Sequence, residues 1–361
     1  MNKRLAAVGC TLLTLLVYGC SHPLEIVGEG DITTASGDRH CTHADYLAGL
    51  PNCQDNLVTG DYQETYQALP HAGWHFHRWV NCYNADGSAC SFDVPASAVQ
   101  HFWGQSADPL VAIFRPDVIT GYDALLMGHS FFNPFANALP ADAQAAGFSD
   151  HTQHNYFAGN GQGAPEAFWL NPVTRPQIQA DLDAGDIDLL AMTFHYDYPS
   201  LTGYRNWIDY ALAQNPDTRI MLAFPWLPYP GNLDAATYAA SNAGLHDHSH
   251  TLIDQLRAEY HGVDIVCNPY SLAAGALREL YADGNLPEVQ ALISSSQPAI
   301  FRDNLGHADG ILRDLGSLIW MGAIYGVYLT SLPHNPAYST DLRLIGQAIM
   351  DAHDPAYLLH P

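Results

Sequence analysis

The chain has 361 residues, 48% of them hydrophobic, and a formal net charge of −24 at pH 7. That length buries a sizeable core and accommodates two domains. So acidic a surface repels phosphates at long range, which disfavours anionic polymers, and no nucleic-acid partner is expected.

At the start, Lys3 and Arg4 precede an apolar run from Leu5 to Val17, followed by Tyr18-Gly19-Cys20. A positive beginning and an apolar core too short to span a bilayer mark residues 1–20 as an export signal. Its ending resembles a bacterial lipobox. That resemblance implies a lipid-anchored protein with Cys20 as the lipidated first residue. Ser21 after it implies retention at the outer membrane of a Gram-negative bacterium. Residues 21–40, rich in Gly, Ser, Thr and acidic side chains, read as a tether.

Residues 41–116 read as a small β-rich module. Tyr62–Tyr66 and Gly73–Trp79 alternate, Asn84–Ser88 forms a turn, and Pro109–Phe114 closes the piece. In an exported chain Cys41, Cys53, Cys82 and Cys90 are expected to be oxidised. Four cysteines allow three connectivities, of which the nearest-neighbour one, 41–53 and 82–90, is favoured. The Gly-aromatic strand, Trp, Cys-to-Cys turn and final Val-Ala-x-Phe strand resemble small bacterial surface repeat modules, which implies a spacer or binding appendage. His71, His75 and His77, beside Trp74 and Trp79, read as an ordinary exposed face whose aromatic rings are of the kind that touches glycans, rather than as a metal site.

From Tyr122 onward strands alternate with helices, the rhythm of a parallel sheet covered on both faces. Leu125-Leu126-Met127 ends a buried strand, Gly128-His129-Ser130 turns, and Phe135, Ala138 and Leu139 carry helical spacing. A serine there has an exposed hydroxyl close to a helix N-terminus, as an activated nucleophile needs, although a small N-capping residue fits equally well. Thr152–Ala158 is predicted as the second strand. The loop Gly159-Asn160-Gly161-Gln162-Gly163 follows, lacking the residues of a phosphate-binding loop. The third strand, Ile187–Met192, leads to His195, and the fourth, Arg219–Phe224, to Pro225-Trp226-Leu227-Pro228-Tyr229-Pro230. Ligands bind at this carboxyl edge of open parallel sheets, which makes Trp226 and Tyr229 candidate substrate-binding residues.

In the predicted helix from Ala235 to His261, His246 and His250 lie one turn apart, as zinc ligands can. No third ligand is spaced with them, so the segment reads as a solvated helix start, and no metal or other cofactor is expected. Cys267, after Val263-Asp264-Ile265-Val266, reads as a buried small hydrophobe. A last strand, Pro298–Phe301, enters Arg302-Asp303-Asn304-Leu305-Gly306-His307-Ala308-Asp309-Gly310, and a long apolar helix follows. An Asp and a His on one loop can deliver an oriented imidazole to a distant serine. Asp303, directly after the strand, is the expected partner of His307. Asp309 sits at the approach to the helix, where the dipole alone favours an acid.

With Gly-x-Ser after the first strand, and acid and base sharing one loop before the last helix, the chain resembles the SGNH (GDSL-like) hydrolase family from about Asp117 to Gly326. It departs in three places. His129 replaces the Asp beside the nucleophile, the spacing from Asp303 to His307 is one residue longer, and no Asn follows the third strand. The resemblance implies an α/β fold with a doubly wound parallel sheet (SGNH-like, flavodoxin-like) over residues 117–361, behind the disulfide-bonded β domain. It implies Ser130 as nucleophile, His307 as base and Asp303 as its orienting acid. The N–H groups of Ser130 and Gly163 (or Gly161), joined by His195, would form the oxyanion hole. The function expected is a serine ester hydrolase of the cell envelope acting on an acyl or acetyl ester, on a glycan, a lipid or a small molecule. The alternative is a catalytically degenerate scaffold serving as a surface glycan- or ligand-binding lipoprotein.

Overall fold

The computed structural model describes residues 19–359. Of the expected signal, residues 1–20, all but Gly19 and Cys20 lies outside the described residues, while Cys20 is half-buried in a two-residue strand paired with Leu57–Val58. The chain divides into two units, one ending at Asp117 and one beginning at Val118. No described helix is long and apolar enough to cross a membrane.

The first unit contains a three-stranded sheet of Leu24–Val27, Leu110–Pro116 and Trp74–Val80, and a five-stranded antiparallel sheet in which Gly30–Thr34 lies between His40–Cys41 and Tyr62–Pro70. Residues 21–40 are therefore not a tether. Leu24, Ile26 and Ile32 alternate with outward-facing polar residues and are buried, the period of half-buried strands that the polar composition had masked. Trp79 is likewise corrected from an exposed face to the core, beside Phe76. His71 and His75 sit against Asp31 and Asp117.

Both disulfides have the nearest-neighbour pairing, Cys41–Cys53 and Cys82–Cys90, which fits an oxidising compartment. Each closes a short loop and is expected to stabilise this unit by about 2–3 kcal/mol. Calorimetry with reductant should show an early transition of the first unit, with the second unit's transition unmoved. A reductant-insensitive first transition would count against this.

The second unit is a mixed α/β fold. Its five parallel strands are β1 (Asp123–Gly128), β2 (Thr152–Phe157), β3 (Leu189–Thr193), β4 (Arg219–Ala223) and β5 (Ile265–Asn268). They are ordered β2-β1-β3-β4-β5, a doubly wound arrangement. Side chains alternate along β1: Ala124 and Leu126 enter one core, Leu125 and Met127 the other. The first core is covered by α1 (Asn133–Ala145), α6 (Leu272–Ala282), α7 (Gly310–Tyr325) and α8 (Leu342–Ala352). The second is covered by α2 (Pro165–Leu170), α3 (Thr174–Leu182) and α4 (Thr202–Gln214), while α5 (Ala235–Glu259) contributes to both. Burial on both faces is why β1, β3, β4 and β5 read as largely apolar runs, while β2, at the sheet's edge, is polar and largely exposed. The expected last strand is present as the short β7 (Ala299–Phe301), but it pairs with β6 (Ala291–Ile293) in a separate two-stranded sheet instead of joining the main one.

Candidate active site

In this strand order the direction of winding reverses between β1 and β3, which opens a crevice at their carboxyl ends. Ser130 lies in the turn after β1. The helix cap is Phe132, so the Ser130 hydroxyl is not spent on capping. It donates instead to His307 Nε2 at 2.8 Å. His307 Nδ1–H donates to Asp303 Oδ2 at 2.7 Å. Ionised Asp303 can only accept, which fixes the proton on Nδ1 and leaves the Nε2 lone pair facing the serine. Three residues separated by up to 177 positions thus form one hydrogen-bonded line.

The loop that carries acid and base is held from several sides. Arg302 N–H donates to the His307 carbonyl and Asp309 N–H to the Ile300 carbonyl, folding the loop back on the end of β7. Asp303 Oδ1 accepts the N–H groups of Gly306 and His307. Burial alone would raise the Asp303 pKa, but these bonds and the His307 ring outweigh it and hold the carboxyl below its usual range. Gly306 has φ 103°, where a side chain would be strained and a Cβ would press on Pro230. Its carbonyl accepts Trp226 Nε1–H at 2.8 Å. Asp309 turns away, accepting Ala299 N–H.

His129 is buried. Its Nε2–H donates to the Phe194 carbonyl at 3.0 Å, and its Nδ1 accepts Phe131 N–H. It therefore ties the serine turn to the end of β3. Burial pushes its pKa down to about 4. The ring is neutral in the fold, whereas the unfolded chain takes up a proton near pH 6.5, so its contribution is present above that pH and lost as pH falls toward 4. That difference amounts to about 2–3 kcal/mol. Replacing His129 with Leu is expected to shrink the loss of unfolding free energy between pH 7 and pH 4.5 by this amount, read from denaturant titrations at both values. An unchanged difference would contradict the assignment.

A cavity of about 110 Å³ adjoins Ser130, with Phe131, Asn160, His195, Trp226 and Tyr229 in its wall. His195 Nδ1 accepts Asp197 N–H, so the neutral ring carries its proton on Nε2. No family model and no curated protein matches the sequence. Two solved structures are similar to part of it. One is a DUF4886 family protein from Bacteroides uniformis, at 14% identity and a TM-score of 0.44, covering 64% of this chain and 93% of that one. The other is the periplasmic domain of a lipopolysaccharide acetyltransferase from Salmonella ser. Paratyphi A, at 13% identity and a TM-score of 0.34, covering 56% of this chain and 81% of that one. Likeness at this level carries no argument about chemistry. The site stands on its own geometry.

Of the residues singled out from the sequence, Ser130, Asp303 and His307 meet, and His195, Trp226 and Tyr229 share the cavity. Trp226 is 1% exposed and holds the loop, so the exposed aromatic surface at the cavity is that of Tyr229 and Tyr196, 53% and 48% exposed. Gly163, the other expected oxyanion donor, packs so closely behind the turn that a Cβ there would meet the carbonyls of Gly128 and Ala158 at 2.6 Å, and it is not among the residues around the cavity. Asn160 does line it, and sequence reasoning passed over this residue. Its φ of 52° is a backbone state that Asn tolerates unusually well, and an Asn between two glycines at a strand's carboxyl end was the available signal.

Proposed function

We propose that this protein is a serine ester hydrolase of the SGNH type, exported and lipid-anchored through Cys20, that removes short acyl groups from envelope esters such as acetylated glycans or lipids. The observation that carries the proposal is the Asp303–His307–Ser130 line, with both hydrogen bonds shorter than 3 Å. Ser130 Oγ attacks the acyl carbon as His307 Nε2 takes its proton, and Asp303 stabilises the imidazolium. The proton then passes to the departing alcohol, leaving an acyl-serine. A water molecule, deprotonated by His307, attacks that ester, and Ser130 recovers its proton when the acid leaves. Ser130 N–H, His195 Nε2–H and the Asn160 amide are the donors assigned to the oxyanion. Asn160 supports this reading over the degenerate scaffold, whose motive was the missing side-chain amide.

The cavity of about 110 Å³ is smaller than the roughly 150 Å³ that holds a benzene-sized ligand, which favours acetyl over long acyl chains. The test is hydrolysis of p-nitrophenyl esters of increasing chain length, together with labelling by a fluorophosphonate and peptide mapping. Acetate should be the best substrate and Ser130 the labelled residue. Absence of both turnover and label would sink the proposal.

A further inference from the structure

Beyond the ester site, a second cluster of reactive side chains lies where α5, β5 and the end of α8 come together. His246 and His250, one turn apart on α5, are not on a solvated helix start: His246 is 6% exposed. The missing third ligand comes from elsewhere in the chain. Cys267 on β5 is fully buried, and its Sγ lies 3.7 Å from His246 Nδ1. One ligand atom from each of His246, His250 and Cys267 falls within 4.8 Å of the other two. A tetrahedral zinc ion separates its nitrogen and sulfur ligands by roughly 3.3–3.7 Å, so one pair is already at bonding separation and the third vertex needs only a small closure.

A second observation points the same way. His250 Nε2 is buried and makes no hydrogen bond, although an unpaired buried nitrogen is costly. His353, the C-cap of α8 and 5% exposed, has its Nδ1 3.1 Å from His246 Nε2. With His246 Nδ1 turned to a cation, its Nε2–H donates to His353, the outer hydrogen bond that orients most metal-bound histidines. The three imidazole rings form a triangle with centroids 4.6–5.3 Å apart. The cluster opens on a groove of about 1100 Å³ that includes Asp247, Glu279, Asp283 and Asp354 and neither lysine nor arginine, a field that attracts cations.

We propose that His246, His250 and Cys267 form a site for a zinc-like divalent cation, with His353 orienting His246 and the fourth position open to the groove. Thiolate with two imidazoles is a donor set suited to zinc rather than to calcium or magnesium. On binding, the Cys267 S–H bond breaks, the sulfur keeps the electron pair for the cation, and one proton leaves to solvent.

The test uses the purified full chain, stripped with a chelator and titrated calorimetrically with zinc chloride, and with cobalt(II) for its spectrum. The expected results are one tight ion per chain, one proton released per ion, and a thiolate-to-cobalt charge-transfer band. His250→Ala and Cys267→Ser should each weaken binding at least 100-fold, with the band absent from Cys267→Ser. His353→Phe should weaken it about 10- to 100-fold, as loss of an outer hydrogen bond does. The chain has 19 histidines, so His248→Ala, at an exposed neighbour, is the control and should change nothing. Far-UV circular dichroism confirms that each variant is folded. Zinc binding that survives both Cys267→Ser and His250→Ala, or a cobalt complex without the thiolate band, would overturn the proposal.

Discussion

Ser130→Ala is expected to lower p-nitrophenyl acetate turnover by about 10⁴- to 10⁶-fold, as loss of a nucleophile does in triad hydrolases. The melting temperature should hardly move. The hydroxyl makes no capping bond, and among the described residues its hydrogen-bond partner is His307. Removing it deletes one hydrogen bond at a part-exposed position and leaves no cavity in either core. The result is read as kcat on purified protein with a thermal melt alongside. Substantial turnover in a folded variant would take Ser130 out of the mechanism.

Asp303→Asn should cost about 10⁴-fold in kcat, because an amide facing His307 Nδ1 can select the wrong tautomer and no longer stabilises the imidazolium. Asp303 Oδ1 also accepts two backbone N–H groups, so some loosening of the loop accompanies the loss. Asp309→Asn distinguishes this account from its rival. Asp309 lies two residues past His307, but its carboxylate faces Ala299 N–H and its own N–H is bonded to Ile300. An Asn there keeps an acceptor oxygen, and activity should stay within a few-fold of wild type. Reversed outcomes for the two variants would mean that the loop folds differently in solution. If neither matters while His307→Ala is dead, Ser130 and His307 work as a dyad.

The positions of Ser130 and His307 were legible because local chemistry announces them. A small polar turn after an apolar strand, and an Asp and a His before a terminal helix, are patterns within ten residues of chain. The extra residue between Asp303 and His307 is accommodated at Gly306, whose φ of 103° glycine adopts without strain. Residues 21–40 were misread because composition outweighed period. A strand of Gly, Asp, Ile and Thr looks like a linker until Ile32 is seen to have a core to enter.

What local sequence specifies here is the first four strands of the second unit's sheet and the chemical character of the turn after β1 and the loop after β7. Hydrophobic period and turn chemistry act over a few residues and leave their mark on the chain directly. What required the folded chain is every meeting across the sheet. Asn160 enters the serine's cavity because the loop after β2 wraps the end of β1, and no spacing in the sequence encodes that approach. Cys267 reaches His246 because β5 packs under α5, and His353 reaches the same point after 107 residues. Such contacts are chosen by which apolar faces bury one another, and the polar groups they carry are brought together as a consequence.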